Sequence, residues 1–259
     1  MKKTEFKFYQ KVKNWDFSMI KRESESLTNW DMYEILHANA NQNSIVLDLG
    51  TGGGEKVLKC FPKAKEIIAT DFSPGMIDTA ISNLANSSRK NENIRFEVMD
   101  NLHMTVPKNH FDIIVARHTV IDAGQIFQAL KNDGILILRG VDRLDCWSLK
   151  KLFGRGQAFH DNKAVSLIDY ENILDAGFKD VELVPIYERE FIKTRQDFLA
   201  LLHKVPILDD MSEEGDNQTY SKEDIDEQIL DKYITENTYE KGILLRRRYY
   251  GITAKKTKK

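Results

Sequence analysis

The stretch Ser44 to Gly54, SIVLDLGTGGG, constrains this chain more than any other. Ile45, Val46 and Leu47 are apolar and mostly β-branched, as in a strand buried on both faces. Gly50, Gly52, Gly53 and Gly54 follow, and Glu55 to Lys65 reads as a helix. A strand, a glycine turn and a helix make the first half of a nucleotide-binding βαβ unit. Glycine serves there because the turn takes backbone angles that side chains resist, and because a ligand must approach bare backbone. The helix start behind the turn offers N–H groups without intrahelical partners.

Spacing separates two cofactor classes. In the dinucleotide fingerprint G-x-G-x-x-G, a third glycine would stand at Glu55. A carboxylate there repels a pyrophosphate. The pattern is instead acid-x-Gly-x-Gly-x-Gly, over Asp48, Gly50, Gly52 and Gly54. This resembles motif I of the class I S-adenosylmethionine-dependent methyltransferases. Their cofactor carries an amino acid and a sulfonium cation and no phosphate, so an acid beside the turn is favourable.

The resemblance continues down the chain. Glu66 to Asp71 is a short apolar strand ending in an acid about 20 residues past the turn, the distance at which an acid reaches ribose hydroxyls. In the family this position binds both hydroxyls, and the next residue, here Phe72, lies against adenine. Ser73 and Pro74 suit the N-cap and first position of a helix that carries Met76. Asn93 to Asn101 is a third strand and its exit. The family uses the acid at Asp100 for the adenine amino group and the backbone N–H at Asn101 for a ring nitrogen. Phe111 to Ala116 matches the "FD-apolar-apolar" strand. Its exit, Arg117-His118-Thr119, falls where family members touch the methionine moiety or the substrate. Leu130-Lys131 with Gly134-Ile135 matches motif III before a fifth strand, Gly134 to Arg139. Asp48, Asp71 and Asp100 all stand at strand ends, where open α/β sheets bind ligands.

The implied fold is α/β: a Rossmann-like seven-stranded mixed sheet with helices on both faces and an antiparallel last strand. An N-terminal helical arm (1–41) precedes the cofactor-binding core (42–190). A helical, acidic lid insertion (191–241) separates the core from its final strand and a basic tail (242–259). The implied cofactor is S-adenosyl-L-methionine, held by Asp48, Gly50, Thr51, Gly52, Gly53, Asp71, Phe72, Met76, Asp100, Asn101 and Arg117. His118 is the candidate general base, with a purely structural role equally open. Tyr9, Trp15 and Phe17 of the arm are candidate covers of the site. Arg155, between two glycines, fits either a surface turn or a mobile substrate loop. The histidines show no metal-ligand spacing, so no metal is expected.

Composition narrows the rest. With 259 residues, 41% of them hydrophobic, the chain can bury one large α/β core, and one domain is preferred. A net charge of −2 does not point to nucleic acid or membrane. A small-molecule acceptor is therefore favoured over RNA, and Glu55 and Asp48 argue against a nicotinamide-dependent oxidoreductase. Cys60 and Cys146 are too few for a disulfide framework. The first residues lack the apolar run of a signal peptide, and no segment is apolar enough to span a membrane, so a cytoplasmic protein is expected. Arg246-Arg247-Arg248 and the lysine-rich tail read as solvated charges on an edge strand.

Overall fold

The computed structural model describes residues 19–208 and 225–257. Tyr9, Trp15 and Phe17 lie outside the described residues. The fold is a mixed α/β Rossmann-like sheet. Its strands are β1 (Arg22–Ser26), β2 (Ile45–Leu49), β3 (Glu66–Asp71), β4 (Ile94–Val98), β5 (Phe111–Arg117), β6 (Leu130–Val141), β7 (Lys179–Ile192), β8 (Thr238–Tyr239) and β9 (Gly242–Lys255). The order is β1-β7-β9-β6-β5-β2-β3-β4, with β8 beside β9. Among the described residues no helix is long and apolar enough to cross a membrane.

The residues pack as two compact units. One comprises Trp30–Gly140, Ser166–Val184 and Tyr250–Lys259, as far as these are described. Here β2 pairs in parallel with β3 on one side and β5 on the other, and all five residues of β2 are buried. The chain runs outward from β2 to β3 and β4, then returns to β5 across β2. This reversal makes the β2–β5 boundary the switch point at which such sheets open a ligand crevice. Helices α1 (Met32–Asn39), α2 (Glu55–Cys60) and α3 (Pro74–Ala85) frame this half. Met32, Leu36, Val57, Ile77 and Ala80 from these helices join Val46, Ile67 and Ile113 in one core. Helix α2 stops at Cys60, short of Lys65, with Phe61 in extended backbone and Pro62 next. Helix α4 (Ala123–Ala129) precedes β6. Strand β6 begins before Gly134, at Leu130, and carries an irregularity over Lys131 to Gly134: Leu130 opposes Phe111, yet Ile135 opposes Ile113.

The other unit comprises the described parts of Met1–Asn29, Val141–Val165 and Pro185–Tyr249. Its core joins Ile20, Cys146, Leu149, Phe198, Leu230, Tyr233 and Ile243. It contains α5 (Trp147–Phe153), α7 (Arg195–Lys204) and α8 (Glu227–Asn237); α6 (Val165–Asp175) precedes β7. Two expectations change here. First, the arm is not wholly helical, because Arg22–Ser26 forms a strand antiparallel to β7. Ion pairs fix that edge: Arg22 with Glu190, Lys193 with Glu23 and Lys241 with Glu25. Second, β9 is not an edge strand, since β7 and β6 flank it. Gly134 accepts from the Lys256 N–H and the Asp142 N–H donates to Arg248, so partners fall along β9 as they rise along β6 and the two strands are antiparallel. Arg247, expected to be solvated, is buried. Its guanidinium meets Asp145 at 3.0 Å and Glu190 at 2.9 Å, which pays for the burial.

Candidate active site

The glycine turn leaves β2 at the switch point. Gly50, Gly52 and Gly54 have φ of +76°, +59° and +76°, the left-handed region open to glycine. The N–H groups of Gly50 and Thr51 both donate to Thr70 O at 2.8 Å, lashing the turn to β3. A Cβ on Gly50 would stand 2.7 Å from Thr119 Cβ, so the exits of β2 and β5 touch here. Asn83 Nδ2 donates to Gly53 O at 2.8 Å from α3. Glu55 folds back so that its Oε1 would lie 2.6 Å from a Cβ on Gly53. That places a carboxylate where a dinucleotide fold receives pyrophosphate.

Asp71, 8% exposed, clamps the turn. Its Oδ2 accepts the Gly52 N–H at 3.0 Å and its Oδ1 the Ser73 N–H at 2.9 Å. Burial holds the carboxyl above the ordinary carboxylate range, and these two hydrogen bonds oppose the rise. Ser73 is the N-cap of α3, but its side chain makes no capping bond. Asp48, 5% exposed, stands one strand away. Burial pushes its carboxyl up to about 7, with the Arg117 guanidinium pulling downward and Asp71 adding to the rise. Met76 is buried, and Phe72 half-buried.

At the exit of β4 the exposed residue is Asp100. Its Oδ1 accepts the Leu102 N–H at 2.9 Å and its Oδ2 pairs with His103 Nδ1 at 3.0 Å, which together hold the carboxyl below its ordinary value. Asn101 is the buried one. Its Nδ2 donates to Thr119 Oγ1 at 2.9 Å, and its Oδ1 is buried without a partner among the described residues. A buried acceptor with an open lone pair asks for a donor.

Arg117 ends β5, and His118 follows with φ +54°. The His118 N–H donates to Arg139 O at 2.8 Å, and Arg139 Nη1 meets His118 Nε2 at 3.1 Å. A guanidinium can only donate, so Nε2 is the accepting nitrogen in this pair. Arg155 belongs to the other unit, in the turn after α5. There Lys150 Nζ donates to the carbonyls of Arg143 at 2.6 Å and Gln157 at 2.9 Å, so the segment is tied at both ends.

One unit thus gathers Asp48, Gly50, Thr51, Gly52, Gly53, Asp71, Phe72, Met76, Asp100, Asn101, Arg117 and His118. Sequence reasoning did not single out Thr119, Asn83 or the side chain of Asn101. Only Thr119 carried a signal, its place in the β5 exit. The group matches a ligand with hydroxyls, a polar ring and a cation, because the turn offers bare backbone, two buried acids and an unpaired amide oxygen.

Residues 46–134 match a family model described as a methyltransferase domain. Among solved structures, a functionally unknown protein from Deinococcus radiodurans R1 is similar at 15% identity. The similarity covers 92% of both chains with a TM-score of 0.54. A protein of Bacillus halodurans C-125 assigned as a methyltransferase is 16% identical, over 88% of this chain and 99% of its own, at 0.55. Haemonchus contortus phosphoethanolamine N-methyltransferase 2, solved with phosphomonomethylethanolamine and S-adenosylhomocysteine, is 16% identical over 88% of this chain and 53% of its own, at 0.52. These likenesses show a common fold. No curated protein sequence matches.

Proposed function

We propose that this chain is a class I S-adenosylmethionine-dependent methyltransferase and carries a methyl group directly to a small-molecule acceptor. The observation that carries the reading is the turn clamped by Asp71, with the Glu55 carboxylate over Gly53 in place of a phosphate. When bound, S-adenosylmethionine supplies a methyl made electrophilic by its sulfonium. The residues then have simple tasks. Gly50, Thr51, Gly52 and Gly53 present backbone to the ligand, and Asp71 holds both the turn and the ribose hydroxyls. Asn101 Oδ1 accepts from the adenine edge, with Asp100 outside it and Phe72 against the ring face. Met76 lies buried in the first turn of α3. Asp48 stands beside the amino-acid end, with the Arg117 guanidinium acting on it electrostatically. An ionised Asp48 favours a cationic group there, so cofactor binding draws its carboxyl toward the charged form.

Orientation of an acceptor lone pair in line with the methyl supplies most of the rate. His118 serves as base where the acceptor must lose a proton, after Arg139 releases Nε2. A net charge of −2 favours a small molecule over a polyanion. The experiment is transfer from methyl-labelled S-adenosylmethionine into a metabolite extract and, separately, into bulk RNA. Label in the low-mass fraction supports the reading. Label in RNA alone replaces the acceptor class.

A further inference from the structure

The run Arg246-Arg247-Arg248 divides across β9. Arg247 faces Asp145 and Glu190 and is neutralised in the interior. The alternation of a strand sends its two neighbours to the opposite side. There Arg246 and Arg248 join Lys151 of α5 in the wall of a cavity of about 620 Å³, built from α5, α8, β8 and β9 within one unit. Ligand pockets generally measure about 300–1,000 Å³.

Two properties of this wall need an explanation. The first is charge. Three cations face one acid, Glu236, in a chain whose net charge is −2. Arg246 Nη1 meets an uncharged partner, Asn237 Oδ1, at 3.2 Å, and Arg248 lies 5.2 Å from the Tyr187 ring centroid. None of the three cations has a carboxylate within ion-pair distance among the described residues. Like charges gathered without counter-charge repel, and an anion between them relieves that cost. Two guanidinium forks on one strand face suit a carboxylate or phosphate.

The second property is the fixed aromatic surface. Trp147 is steadied by Phe159, with ring centroids 5.2 Å apart, and by the Arg143 guanidinium at 5.7 Å. Tyr233, fully buried, donates its hydroxyl to Leu244 O at 2.9 Å. Tyr239 is half exposed at the rim. Rings already fixed lose little entropy when a flat ligand meets them.

We propose that this cavity binds a small organic anion that carries an aromatic ring. Arg246, Arg248 and Lys151 hold its carboxylate or phosphate, and Trp147 and Tyr239 meet the ring. The site lies within one unit and does not rest on the methyltransferase reading.

The test uses the full chain and two dyes that differ by one charged group, 8-anilinonaphthalene-1-sulfonate and neutral N-phenyl-1-naphthylamine. Fluorescence titration is expected to give one saturable site for the sulfonate and binding about tenfold weaker for the neutral dye. The double variant Arg246→Gln, Arg248→Gln should weaken sulfonate binding about tenfold or more, leaving the melting temperature and S-adenosylhomocysteine affinity unchanged. Should that variant not fold, the exposed Lys151→Gln serves, with a loss of about threefold or more expected. Displacement by phenyl phosphate or by benzoate identifies which anion the arginines prefer. The proposal is overturned by equal binding of the two dyes, by no binding of the sulfonate, or by unchanged affinity in the folded variant. It is also overturned if S-adenosylhomocysteine displaces the dye, or if neither anion does at millimolar concentration.

Discussion

Asp71→Ala tests the centre of the site because one carboxylate has two tasks there. Its oxygens take the Gly52 N–H at 3.0 Å and the Ser73 N–H at 2.9 Å. Alanine leaves both donors unpaired in a place where the side chain was 8% exposed. A buried unpaired donor costs about 1–3 kcal/mol, and water entering the gap recovers part of it, so a loss of ~2–4 kcal/mol is expected. In a chain of this size about 1 kcal/mol moves the melting temperature by ~2–4 °C, which gives a fall of roughly 5–15 °C. The turn then loses its clamp and the ribose its acceptor, so cofactor affinity should drop roughly ten- to a hundredfold. Asp71→Asn keeps one accepting oxygen and should fall about midway in both readings. Scanning calorimetry reads the first quantity and titration with S-adenosylhomocysteine the second. A variant that melts and binds like the parent removes both tasks from Asp71. A variant that melts lower yet binds normally leaves the clamp and removes the ribose role.

Four further outcomes follow from the geometry. Asp48, pushed up to about 7 by burial, has a folded-state value above its unfolded one, so its contribution is unfavourable once charged and stability is lost as pH rises from about 4 to 7. Asp48→Asn should therefore gain on the parent by up to roughly 4 kcal/mol between pH 4 and pH 8, and parallel denaturant titrations that show no widening gap contradict it. Gly52→Val forces a β-branched residue to φ +59° and should abolish cofactor binding; a folded variant that binds normally removes the motif I reading. Arg247→Met strips buried Asp145 of its counter-charge and leaves Glu190 with Arg22 alone, and should cost ~3–5 kcal/mol by urea unfolding, whereas an effect below ~1 kcal/mol makes the network dispensable. His118→Asn should slow methyl transfer about 10²–10⁴-fold without changing cofactor affinity; a normal rate makes the residue structural.

Much of the fold was legible because its signals are local. Asp48, the glycines and Glu55 sit within eight positions, and the apolar runs of β2, β5 and β6 announce a buried parallel sheet. What was not legible depends on distant partners. Arg22–Ser26 reads RESES, with no apolar alternation, and becomes a strand only because β7 supplies a hydrogen-bonding edge and counter-charges. The same holds for Arg247. Three consecutive arginines look solvated until Asp145, 102 positions away, folds beneath the middle one. In the site, acids at strand ends were readable by position, but their surroundings were not. Asp100 emerged exposed and its neighbour Asn101 buried, an exchange set by how the chain turns after β4. Asn83 supports the glycine turn from α3, 30 positions away, and no spacing rule reaches that far.

The central claim is the cofactor. Calorimetric titration of the intact chain with S-adenosylmethionine, S-adenosylhomocysteine and NADH tests it most directly. Saturable binding of the first two is expected, with dissociation constants on the order of micromolar, and none of the third. Binding of NADH alone would contradict it, and with it the roles given to Asp48, Glu55 and Asp71.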